Sequence, residues 1–150
     1  MLKIGLLGAG RIAGVHATAI SAHAGSTLVA VSDYFPENAQ KLAAEYGAEA
    51  RTTDEIIADS SIDAVLIATS TDTHSDLIEA ATAAGKAVLC EKPVDLSLER
   101  ARTCLANSAP TGQPVMIGFN RRFDPNFGAM KLKGEHRTEA ELARDADRDP

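Results

Sequence analysis

Met1 to Gly14, MLKIGLLGAGRIAG, restrict the possible folds more than any other stretch of the chain. Leu2, Ile4, Leu6 and Leu7 make a short apolar run broken by Lys3 and Gly5, and Gly8-Ala9-Gly10-Arg11-Ile12-Ala13 follows with the G-x-G-x-x-G/A spacing of a dinucleotide-binding turn. The pattern predicts a buried strand, a tight turn and a helix. Gly8 would permit the turn, Gly10 would let the backbone approach a pyrophosphate, and the small Ala13 would let helix pack on strand. Phosphates on the helix N-terminus would meet unpaired N–H groups, worth about 0.3 to 2 kcal/mol. The hexapeptide alone fits a ligand-free strand–helix corner equally well. Leu28 to Val31 then form a second apolar strand ending in Ser32-Asp33, and an acid about twenty residues past the turn is where a ribose-binding carboxylate belongs. The other reading of Asp33 is a cap on the next turn.

The whole chain has 150 residues. Its length suits one core, burying about 70% of the unfolded surface. A net charge of −6, with no basic run or basic-aromatic stripe, excludes a nucleic-acid surface, which needs clustered Lys and Arg. Cys90 and Cys104, without a C-x-x-C, give neither a metal site nor a disulfide framework; both read as core residues, and a cytoplasmic location is expected. No stretch reaches the ~20 apolar residues of a membrane span. The chain reads as unexported.

Ile12, Val15, Ala19 and Ala22 predict the apolar face of the first helix, on which His16 and His23 ride as structural side chains. His16 could instead face the cleft. Pro36 opens a second helix with Ala39, Leu42, Ala43 and Tyr46 inward and a stop at Gly47. Glu49 to Arg51 make a brief third strand, and Thr52 with Glu55 has capping-box spacing for a short helix. Asp63 to Ala68 is almost wholly apolar, as a strand covered on both faces should be. It runs into Thr69-Ser70-Thr71-Asp72-Thr73-His74, a hydroxyl-rich loop where ligands of open α/β sheets bind; Thr73 with Asp76 also has the spacing of a helix cap. Ala87 to Cys90 form a fifth strand that delivers Glu91-Lys92-Pro93 to the same edge. Leu98, Ala101, Cys104 and Leu105 predict a further helix face, and Val115 to Gly118 a sixth strand. Alternating strands and helices with short linkers predict a Rossmann doubly wound parallel sheet of order 3-2-1-4-5-6.

Four ordered motifs, Gly8 to Ala13, Ala68-Thr69 followed by His74, Glu91-Lys92-Pro93, and Gly118-Phe119-Asn120-Arg121-Arg122-Phe123-Asp124, resemble the nucleotide-binding half of the Gfo/Idh/MocA oxidoreductases. Within that family the likeness is to inositol 2-dehydrogenases, over Met1 to Met130. The resemblance implies NAD as cofactor, held by Gly8, Gly10, Arg11, Ile12, Asp33, Thr69, Ser70, Thr71, His74, Glu91 and Lys92. It implies that Lys92 is catalytic, beside the nicotinamide and the hydroxyl of a polyol or sugar, that Pro93 is cis, and that Arg121 or Arg122 reaches the substrate, Arg122 being the assigned one. On position alone, a lysine after a strand is a surface residue and the arginines belong to a solvated loop. Oxidising an alcohol needs a hydride acceptor and a path for the hydroxyl proton, and a lysine can supply the path. At Asp33, Tyr34 and Phe35 follow in place of an arginine that would accept a 2′-phosphate, so NAD is expected over NADP.

Such enzymes complete their site with a D-x-x-x-H pair on a second domain, and this sequence has none. From Glu135 to Pro150 six acids accompany three arginines, with Leu142 the one large aliphatic residue, so residues 131–150 are expected to form a poorly ordered charged tail, His136 included. The expectation is therefore a domain without its substrate half, incomplete for catalysis alone, whose uncovered apolar surface drives self-association. The alternatives are a stand-alone or partner-assembled NAD-binding module without catalysis, and a truncated inactive product.

Overall fold

The computed structural model describes residues 1–135. Met1–Gly118 form one compact unit and the chain from Phe119 another. In the first, β1 (Leu2–Leu7), β2 (Ser26–Ser32), β3 (Glu49–Ala50), β4 (Ala64–Ile67), β5 (Ala87–Cys90) and β6 (Val115–Ile117) alternate with α1 (Arg11–Ala22), α2 (Pro36–Tyr46), α3 (Thr53–Ala58), α4 (His74–Ala83) and α5 (Leu98–Ser108). The six strands pair in parallel in the order β3-β2-β1-β4-β5-β6, the doubly wound order expected from the sequence.

Alternation along the strands splits the core between the two faces. Leu6 and Leu66 pack with Ala13, Ala17 and Ile20 of α1 and Leu42 of α2. Leu7 and Ile67 face the other way, toward Ile56, Ile78 and Cys104 of α3, α4 and α5. In β2 the pairing slips by one residue, Ile4 opposing Leu28 but Gly5 opposing Ala30. That extra residue turns the chain over, so Leu28 and Val31, three apart, share a face.

Several local expectations hold. Pro36 begins α2, Gly47 ends it in the left-handed conformation at φ 67°, and Thr52 with Glu55 forms a reciprocal capping box on α3. Others need correction. On α1 the buried stripe is Ala13, Ala17 and Ile20, whereas Ile12 and Val15 are exposed. Two stripes of this short helix are apolar, and the one that starts with alanines, Ala13 and Ala17, is buried where the one that starts with Ile12 and Val15 is not, because small residues in the first turns let the helix lie close to the sheet. Thr73 does not cap α4 with its side chain: a 3-10 turn over Thr71–Thr73 precedes the helix and puts Thr73 at φ −101°, ψ −10°, outside the extended conformation of an N-cap. On α5 only Cys104 of the expected face is buried, and Leu98 and Leu105 are exposed.

The second unit holds a 3-10 turn over Asn120–Phe123 and α6 (Pro125–Glu135). There the Arg121 and Arg122 guanidinium groups each lie 4.8 Å from a ring centroid, of Phe127 and Phe123 respectively. The expected charged tail begins inside α6, and 136–150, with His136 and Leu142, lies outside the described residues. No described helix is long and apolar enough to cross a membrane.

Candidate functional site

A parallel sheet brings the carboxyl ends of its strands to one edge, and here backbone hydrogen bonds carry the pairing one residue past each strand. Gly8 N–H donates to Ser32 O (2.8 Å), Ala68 N–H to Leu7 O (2.8 Å), Glu91 N–H to Ile67 O (2.9 Å) and Gly118 N–H to Cys90 O (2.8 Å). The loops after β1, β4, β5 and β6 are thereby fixed to a common floor, at the edge where ligands of such sheets bind.

At one end stands the glycine turn. Gly8 has φ 100°, and a Cβ there would meet Ala68 O at 2.5 Å, so both conformation and contact exclude a larger residue. Gly10 is the converse case: a Cβ there meets nothing within 4 Å, and the space above it is open. No side chain caps α1 at Gly10, leaving first-turn N–H groups turned toward that space. Asp33 closes the turn from β2, its Oδ2 accepting Ala9 N–H at 2.7 Å and its Oδ1 accepting Phe35 N–H at 2.9 Å. Each oxygen keeps a lone pair for a further donor. A groove of about 750 Å³ runs from here past Tyr34, Thr53, Thr69, Ser70 and Thr73, a size that suits an organic cofactor. An uncapped helix terminus beside open space, with a carboxylate at the adjacent strand end, fits a dinucleotide.

At the other end lies the loop from Glu91 to Asp95. The Lys92–Pro93 peptide bond is cis, as the resemblance implied, and Lys92 is exposed. The loop is gripped from α4: His74 is buried, with Nδ1 2.7 Å from Pro93 O and Nε2 3.2 Å from Thr69 O. Both acceptors are carbonyls, so a ring nitrogen bonds either of them only as a donor. The Ser75 hydroxyl faces Val94 O at 3.2 Å and Asp95 Oδ2 at 2.8 Å. Ser97 N–H and that hydroxyl hold the Asp95 carboxyl below its ordinary range. Beneath the loop, burial pushes the Cys90 thiol up to about 12, making it inert packing rather than a nucleophile.

Gly8, Gly10, Asp33, Thr69 and Ser70 therefore meet on one groove. Arg11 and Ile12 begin α1 with exposed side chains, and neither lines the groove. His74 lies under the Thr69 loop and joins it to the Lys92 loop. Thr53, which directly follows the α3 cap, was not singled out in the sequence, and Tyr34 was noted there only as standing where an arginine would accept a 2′-phosphate, not as a lining residue. Among the described residues no group of His, Cys, Asp and Glu could hold a metal ion.

Residues 2–119 match the family model described as an oxidoreductase family with an NAD-binding Rossmann fold. The chain belongs to the Gfo/Idh/MocA oxidoreductases. It is 51% identical to an inositol 2-dehydrogenase of Rhizobium meliloti, over 99% of this chain and 46% of that protein. Among solved structures, a myo-inositol dehydrogenase from Corynebacterium glutamicum superposes with a TM-score of 0.81 at 46% identity, covering 90% of this chain and 41% of that one. The scyllo-inositol dehydrogenase of Lactobacillus casei, solved with NAD(H) and scyllo-inositol, gives 0.79 at 30% identity over 90% and 41%. This Gfo/Idh/MocA chain thus spans less than half the length of these relatives, and the stretch it shares is their NAD-binding Rossmann domain.

Proposed function

We propose that this chain supplies the NAD site of a dehydrogenase that moves a hydride between NAD and an inositol-like polyol or sugar. The observation that carries the reading is the convergence, on one edge of the sheet, of an uncapped glycine turn, the Asp33 carboxylate beside it and a cis-proline loop presenting Lys92. NAD, when bound, is the hydride acceptor. First-turn N–H groups of α1 would hold the phosphates and Asp33 would accept from the adenosine ribose hydroxyls; Thr69 and Ser70 line the groove, and Thr71, next to them in the chain, is assigned to the cofactor. His74 and Glu91 shape the loop, and Lys92 would hydrogen-bond the substrate hydroxyl and relay its proton to a base on the part of the site this chain does not span as hydride leaves. Arg122 is assigned to the polyol. The remaining half of the site belongs to a partner domain or second copy, which would cover the apolar cleft of Val94, Leu105, Val115 and Ile117. The two thiols, both free and buried, suit a reducing cytoplasm.

Joining residues 1–130 to the Rhizobium meliloti enzyme from the position aligned after Met130 onward tests the reading. The chimera should reduce NAD with myo-inositol, and Lys92→Ala should lower turnover at least about a hundredfold with NAD affinity nearly intact. Full activity of the Lys92→Ala chimera removes Lys92 from the chemistry; NAD binding without turnover in the parent chimera favours a non-catalytic module.

A further inference from the structure

The Glu91 carboxylate points back across the cleft. Its Oε1 lies 2.8 Å from Nε2 of His16, a residue 75 positions earlier on α1, while its Oε2 accepts the Lys92 backbone N–H at 3.2 Å. The two side chains are only 22% and 18% exposed. Gly118 completes the enclosure: a Cβ there would stand 3.3 Å from the carboxylate. The helix that offers its N-terminus to the phosphates is therefore tied, by one side-chain pair, to the loop that carries Lys92. A carboxylate held by two donors in a partly desolvated place is confined to one rotamer, and charge-assisted bonds there are stronger than at an open surface.

We propose that His16 is a positioning residue. By holding Glu91 it fixes the backbone at Lys92, and so sets the separation between the phosphate end and the reacting end of the cleft. A dinucleotide is gripped at both ends, and a misplacement of about 1 Å at a reacting centre costs up to a hundredfold in rate. His16 acts through Glu91, so its influence belongs to the nicotinamide end alone. This functional half rests on the NAD reading above, whereas the structural half does not.

The test uses the full chain with His16→Ala and His16→Gln, the latter because a glutamine amide nitrogen can stand where Nε2 stands. Without ligand, amide hydrogen exchange at Lys92 should quicken about tenfold in His16→Ala, return to within about twofold of wild type in His16→Gln, and leave β5 unchanged in both. With ligand, His16→Ala should weaken NADH at least about fivefold more than ADP-ribose, which lacks the nicotinamide, with His16→Gln again restoring the ratio. Unchanged exchange at Lys92, or equal losses for both ligands, overturns the proposal. Should His16→Ala not fold, His16→Phe keeps a ring on α1 without the donor, leaves Glu91 as the acceptor of the Lys92 N–H, and is read identically. A wild-type chain that binds neither ligand overturns the NAD reading, and the exchange result, obtained without ligand, still decides whether His16 holds the loop.

Discussion

At the glycine-turn end of the cleft the parts that matter are backbone: a left-handed glycine, an open glycine and an uncapped helix terminus, all between Gly8 and Arg11, with one carboxylate from the next strand. At the Lys92 end a loop of five residues is held by side chains from α1 and the start of α4. The first end tolerates almost any side chain that stays out of the way. The second depends on particular side chains far apart in the chain, and a fault in one reaches the others.

The sharpest way to break this comparison is within the glycine turn itself. Gly8→Ala forces a Cβ to 2.5 Å from Ala68 O at φ 100°, and should cost about 3 kcal/mol or more of stability, read by urea denaturation. Gly10→Ala should melt like wild type, because its Cβ meets nothing in the protein, yet lose cofactor affinity when NAD is titrated in. Equal stability losses in the two variants would mean that Gly10 serves the fold and not a ligand.

A smaller effect separates the carboxylate from the backbone around it. NAD should bind more tightly than NADP, and Asp33→Ser should shrink that preference by about tenfold, since a 2′-phosphate beside a carboxylate feels a repulsion of which about 1.4 kcal/mol survives solvent screening. The same variant loses the bond from Ala9 N–H, so parallel melting curves distinguish lost discrimination from a loosened turn. Wild type binding both cofactors alike would take Asp33 off the ribose.

The smallest expected effect is a silence. Cys90 ends β5 directly before the Lys92 loop, with its thiol pushed up to about 12 by burial. At pH 8 about one thiol in ten thousand is then ionised, and native protein should resist alkylation until denaturant is added. Rapid native labelling of Cys90 would show that the loop above it opens, and that the two ends differ in rigidity as well as in construction.

The same contrast governs what could be read from the sequence. The sheet order, the glycine turn and Asp33 were legible because each rests on local spacing: strand, turn and helix within fourteen residues, and an acid at a fixed distance. His74 was visible as part of a motif but not as the strut between Thr69 and Pro93, since that role depends on a packing of α4 against the β5 loop that no local pattern encodes. His16 read as a lone structural histidine for the same reason: its partner is 75 residues away. The inward face of α1 was misplaced because alanine and larger apolar residues both repeat at helical intervals, and only contact with the sheet chooses between them.

The position of β1 also sets a schedule for synthesis. It is made before the other five strands of this sheet, yet it lies in the interior, between β2 and β4. Its partner β2 is complete at Ser32, but β4 ends only at Ile67, about sixty residues after Leu7. At a translation rate of about 5 to 20 residues per second, one edge of β1 waits roughly 3 to 12 s for its neighbour. An apolar strand with an open edge is the segment most exposed to pairing with another chain. Codons that slow the ribosome between Ser32 and Asp63 would lengthen that wait, so the yield of folded protein should respond to translation speed in this interval more than to speed anywhere after Ile67.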